Sequence, residues 1–155
     1  MIQRKQTLYL LFSGALLIAM LFLPMVKVVL ADMVYSFTAS GFEDLSGDIV
    51  QPTWALFGVT ILIVLISFVS IFLYTKRVLQ MRVTIFNLIL KIGFYVLAFL
   101  YYRNFVGVLA EMGVEPMLRF TPWLSFPLVA IVFDCLAYRG IAIDEQTIRF
   151  MDRLR

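Results

Sequence analysis

The chain has 155 residues, 63% of them hydrophobic and 15% charged, with a mean hydropathy of +0.97. Globular domains carry roughly 45–50% apolar and about 25% charged residues, so this composition excludes an ordinary water-soluble domain, and much of the chain must face lipid. A net charge of +3 is too small for a nucleic-acid footprint, the absence of His removes the commonest general base and metal ligand, and the single Cys135 excludes an intrachain disulfide or a CxxC site.

A spanning helix needs about 20 mostly apolar residues, and four such runs occur, at about 8–26, 54–74, 83–102 and 120–138. The first carries no charge, and Pro24 predicts a bend near its end. Arg4 and Lys5 before it and Val29-Leu30-Ala31 after it resemble a cleavable secretory signal. The apolar stretch is longer than the usual h-region of about 7–15 residues, however, and Lys27 interrupts the approach to the cleavage site, so the first helix is expected to be retained. In the first outer loop, 27–53, residues 33–39 mix aromatic and β-branched side chains in partial alternation, followed by Ser40-Gly41 and Ser46-Gly47. This predicts a strand–turn–strand excursion pairing with 49–53, which must rest on the membrane surface or a partner because a two-stranded ribbon is marginal alone. Glu43, Asp44 and Asp48 lack EF-hand spacing and read as solvated loop charges.

The second run opens on Gln51-Pro52-Thr53-Trp54, a proline where a missing N–H costs nothing and a tryptophan at headgroup depth. The third is interrupted only by Lys91. There Thr84, Asn87, Lys91 and Tyr95 follow i, i+3, i+7, i+11 and share one face, the one polar stripe among the spans. Tyr101, Tyr102 and Tyr138 read as interfacial aromatics. The second outer loop, 103–119, holds a predicted short helix at 111–116 ended by Gly and Pro. The fourth run is interrupted only by Asp134; Thr121 is its predicted N-cap, Pro127 predicts an early bend, and Cys135 reads as a small hydrophobe.

The tail, 139–155, predicts a short amphipathic helix over 145–154, capped by Asp144 and supported by the Glu145/Arg149 pair. Ile148, Phe150, Met151 and Leu154 gather on one side of its wheel, and Glu145, Arg149, Asp152 and Arg153 on the other. Such a helix docks in the lipid headgroups or on protein. Nine basic residues (Arg4, Lys5, Lys76, Arg77, Arg82, Arg139, Arg149, Arg153 and Arg155) fall on one side of the spans against three (Lys27, Arg103 and Arg119) on the other. The more basic side is cytoplasmic, which predicts both termini inside. The expected architecture is an all-α integral membrane protein in a single membrane domain, 1–155, with four transmembrane helices, a small β-like outer loop and a short amphipathic C-terminal helix.

Lys91 lies nine residues beyond Arg82, about 14 Å deep, and Asp134 five residues before Arg139, about 8 Å deep. Side chains lean toward their own helix N-terminus, so the two charges converge and are expected to pair directly or through one water, with Asn87 nearby. The alternative is Lys91 snorkelling to the headgroups while Asp134 bonds Tyr138 or Arg139.

The opening Met1-Ile2-Gln3-Arg4-Lys5-Gln6-Thr7-Leu8-Tyr9-Leu10-Leu11 and the closing Asp144-Glu145 with Met151-Asp152-Arg153-Leu154-Arg155 resemble the ends of a bacterial family of small four-helix membrane proteins known only by a domain-of-unknown-function label. The resemblance implies a Gram-negative inner-membrane protein with no established activity, whose two cytoplasmic ends matter beyond anchoring. No nucleophile with a base, metal cage, P-loop or dinucleotide fingerprint is visible, so no enzyme and no cofactor are expected. The first functional expectation is a non-catalytic membrane subunit that binds a larger membrane protein or copies of itself. The second is an oligomeric transporter or channel component using the polar face of the third helix.

Overall fold

Residues spaced alternately three and four apart form a straight line along a helix wound to about 3.5 residues per turn, so one face can follow a neighbour throughout its length. The computed structural model describes residues 3–29, 33–111 and 117–153, and its four long helices are all built on such lines. α1 (Gln3–Leu21) buries Gln6, Leu10, Ser13, Leu17 and Met20, and α2 (Trp54–Phe72) buries Leu56, Thr60, Ile63, Ser67 and Ser70. α3 (Arg77–Glu111) buries Gln80, Thr84, Asn87, Lys91, Phe94 and Ala98, and α4 (Phe126–Arg153) buries Ala130, Asp134, Ala137 and Ile141. The lines meet in a ring: α1 packs on α2 and α4, and α3 packs on the same two.

The distribution of polarity is inverted relative to a soluble bundle. Serines, threonines, an asparagine, a lysine and an aspartate are inside, while Phe12, Leu65, Ile89, Phe99 and Val132 are exposed on the outer faces, the pattern expected where the surrounding solvent is hydrocarbon. The segments Trp54–Thr75, Arg77–Glu111 and Pro122–Ile148 are long and apolar enough to cross a membrane, and α1 contributes a shorter apolar stretch, Gln6–Leu21.

The first apolar run is helical only to Leu21, not to 26: Pro24 cannot continue the helix, and the β-branched run after it enters a strand. That strand, β1 (Val26–Val29), begins a five-stranded antiparallel sheet with β2 (Val34–Phe37), β3 (Gly41–Glu43), β4 (Ile49–Pro52) and β5 (Met117–Phe120), in the order β4-β3-β2-β1-β5. The expected pairing of 33–39 with 49–53 is therefore corrected, because β3 lies between β2 and β4 and bonds to both. The expected all-α class is corrected too. Both outer loops contribute strands, β5 pairing along the whole of β1 from Val26↔Phe120 to Val29↔Met117. Three more strands and a buried face supply what a lone ribbon lacks. Gly41 permits the β3–β4 approach: a Cβ there would lie 2.5 Å from the Gln51 carbonyl oxygen, so no side chain fits without separating the strands.

α3 overruns its expected end at 102 because its buried line continues through Phe105 and Leu109, which have the sheet to bury against. The Phe42 ring stacks on Phe105 with centroids 3.8 Å apart and on Phe37 at 4.4 Å, seating the sheet on the C-terminal extension of α3. Most of the expected loop 103–119 is thus helix or strand, and the short helix predicted at 111–116 lies, beyond Glu111, outside the described residues.

α4 follows a 3-10 turn, Pro122–Ser125, and starts at Phe126 rather than near 120. Pro127 falls in its first turn, where no hydrogen bond is missed and no bend is required. At the other end the separate tail helix is corrected, since α4 runs unbroken to Arg153. Gly140 does not interrupt it. Instead Gln6 of α1 lies against Gly140, whose added Cβ would stand 2.9 Å from Gln6 Cγ. With no helix start at 144, Asp144 caps nothing and accepts a hydrogen bond from Gln6 Nε2 at 2.8 Å.

Candidate functional site

A charge at bilayer depth must be matched by a partner, and the bundle matches Lys91 with two. Lys91 Nζ donates to Asp134 Oδ2 and to Ser13 Oγ, each at 2.5 Å, and the Ser13 hydroxyl donates to Asp134 Oδ1 at 2.7 Å. Both carboxylate oxygens and both roles of the hydroxyl are used, and all three residues have 0% exposure. The expected juxtaposition of Lys91 with Asp134 is present as direct contact, so neither snorkelling nor a bond from Asp134 to Tyr138 or Arg139 is needed. Ser13 makes the site a three-helix junction of α1, α3 and α4. The count from the charged flank reaches it: Ser13 is nine residues beyond Arg4, the same depth of about 14 Å as Lys91.

Asn87 sits one turn before Lys91 but bonds elsewhere. Its Nδ2 donates to Ser67 Oγ on α2 at 2.8 Å, while its buried Oδ1 has no hydrogen-bond partner. Thr84 donates to the Gln80 carbonyl at 2.9 Å and lies 3.2 Å from Ser70 Oγ, and Gln80 Nε2 donates to the Ser70 carbonyl at 2.9 Å. The polar line on α3 therefore divides its contacts: Gln80, Thr84 and Asn87 hold α2, and Lys91 holds α1 and α4. Ser67 and Thr60 also donate to carbonyls one turn back in α2, which satisfies their hydroxyls without water.

Tyr95 departs from this line, since Phe94 takes the core position and Tyr95 is half-buried toward α4. Its hydroxyl donates to the Leu124 carbonyl at 2.7 Å and accepts from the Leu128 N–H at 3.1 Å. Leu128 is in the first turn of α4, whose N–H groups have no intrahelical acceptor, so Tyr95 acts as a cap supplied from another helix. Thr121 does not cap. Its hydroxyl is within 2.5 and 2.6 Å of the Pro24 and Met25 carbonyls, binding the approach to α4 to the link between α1 and β1.

The predicted docking face of the tail is split. Ile148 is half-buried, Phe150 and Met151 are 65% and 56% exposed, and Leu154 lies outside the described residues. Phe150 and Met151 leave the inward line of α4 that passes through Ala137 and Ile141 to Ile148. Among the described residues no three side chains of His, Cys, Asp or Glu come together as a metal cage, and Cys135 is exposed on the outer face of α4.

No curated protein matches the chain. The family model described as "Domain of unknown function (DUF4293)" matches residues 2–154, nearly the whole sequence, and the chain belongs to that family.

Proposed function

We propose that the protein is a non-catalytic, multi-pass subunit of a bacterial inner membrane, which binds or stabilises a larger membrane assembly or organises copies of itself. The observation that carries this reading is the closed Lys91–Ser13–Asp134 junction. Its charged and hydroxyl groups satisfy one another in the buried core, which suits a fixed scaffold. Surfaces for recognition then lie outside the core, on the apolar flanks and on the outer sheet with Ile49, Val50, Met117 and Phe120 exposed. Mild-detergent purification from native membranes, followed by mass spectrometry, is expected to recover larger membrane proteins in fixed stoichiometry. A pure homo-oligomer that passes ions in liposomes would instead establish the transporter reading.

In this proposal α1 spans with the other three helices, because it runs beside α2 and α4 for its length, and the basic flanks put both termini in the cytoplasm. On a Cys135→Ser background, Ser46→Cys in the β3–β4 turn is expected to react with an impermeant maleimide in intact cells, and Thr75→Cys is not. The reverse labelling pattern would invert the topology.

A further inference from the structure

Where α2 turns into α3, the first turns of α3 face the last turns of α4 across a cleft of about 760 Å³. Lys76, Arg77 and Arg82 line it together with Glu145, and Leu79 and Ile148 give it an apolar side. Three cations against one carboxylate leave the wall net positive. Arg77 donates one N–H to the Asp144 carbonyl at 3.3 Å, which fixes its guanidinium and leaves its other donors available. Lys76 and Arg82 are exposed and form no ion pair with a described residue. The cleft lies where the apolar segments of α2 and α3 meet, and its lining includes the exposed apolar residues Tyr74 and Val78.

We propose that this cleft binds the headgroup of an anionic phospholipid, its phosphate held among Lys76, Arg77 and Arg82 and its acyl chains lying along Leu79 and Ile148. A free phosphate ion would use the cations but not the apolar side, whereas a lipid uses both. The proposal rests on the membrane-embedded reading above. It also gives the unbroken continuation of α4 a role: the turn carrying Glu145 and Ile148 is the far wall of the site.

The test uses the full chain in detergent, titrated with phosphatidylglycerol or phosphatidylcholine and read by native mass spectrometry. Phosphatidylglycerol is expected to be retained preferentially, and Lys76→Gln with Arg82→Gln to weaken it about thirtyfold, from roughly fivefold per lost surface cation. Arg103→Gln with Arg119→Gln, at the opposite end, is expected to leave retention unchanged, and the charge-keeping Lys76→Arg with Arg82→Lys to restore most of it. Equal retention by wild type and the Lys76/Arg82 variant, equal binding of the two lipids, or an equal loss in the Arg103/Arg119 variant would overturn the site. Displacement by inorganic phosphate alone would reassign it to a free anion. Release of the wild-type chain from membranes by alkaline carbonate would overturn the embedded reading as well, whereas lost lipid selectivity in a chain that stays embedded would overturn only the site.

Discussion

Replacing Lys91 with Met is expected to destabilise the bundle by about 3–5 kcal/mol, because it leaves the Asp134 carboxylate buried without a counter-charge. Met has nearly the length and volume of the lysine stem, so packing changes little and the loss is electrostatic. Combining Lys91→Met with Asp134→Asn should recover most of that cost, since the asparagine is neutral and its oxygen still accepts from Ser13. The double variant should then lie within about 1–2 kcal/mol of wild type. Reversible unfolding in mixed micelles, followed by far-ultraviolet circular dichroism, measures both. A single variant no less stable than the double would mean that the charges do not depend on one another. Since the junction joins α1, α3 and α4 at one point, the single change should loosen all three together rather than fray one helix.

Phe42→Ala is expected to cost the outer sheet about 3–5 kcal/mol, the usual range for a fully buried phenylalanine. Its ring is the middle of the Phe37–Phe42–Phe105 stack, and each aromatic pair adds roughly 0.5–1.5 kcal/mol beyond burial. With the middle ring gone, β2 and β3 lose their seat on α3. Limited proteolysis in detergent should cut residues 33–53 at least tenfold faster, while the helical signal is nearly unchanged. Phe120→Ala, at a residue 67% exposed, should change the cutting rate little. Equal cutting of wild type and Phe42→Ala would mean that the stack does not hold the sheet.

Much of the helical part was legible because hydrocarbon imposes simple rules on sequence. The runs of α2, α3 and α4 follow from hydropathy, and the meeting of Lys91 with Asp134 follows from a count of rise per residue and the lean of side chains. What escaped was tertiary. Ser13 carries no charge to mark it, although its depth matches that of Lys91. The extension of α3 through Phe105 and Leu109 depends on a sheet that local sequence does not announce. β5 reads as 117–120, four residues with an arginine among them, and becomes a strand only because β1 offers a whole edge 88 residues earlier. Asp144 resembles a cap and so marks the tail as a separate helix. Continuity of the α4 line through Ile141 to Ile148 decides otherwise, with Gly140 serving close packing instead of termination.

The pairing of β1 with β5 also orders events during synthesis. β1 to β4 emerge in one stretch and can pair among themselves as soon as α2 is in place, but the free side of β1 has no neighbour until all of α3 has been made. For that interval it is a bare strand edge, the kind that invites pairing with another chain. The closing partner is the short segment just ahead of α4, so arrival of the last helix also seals the sheet.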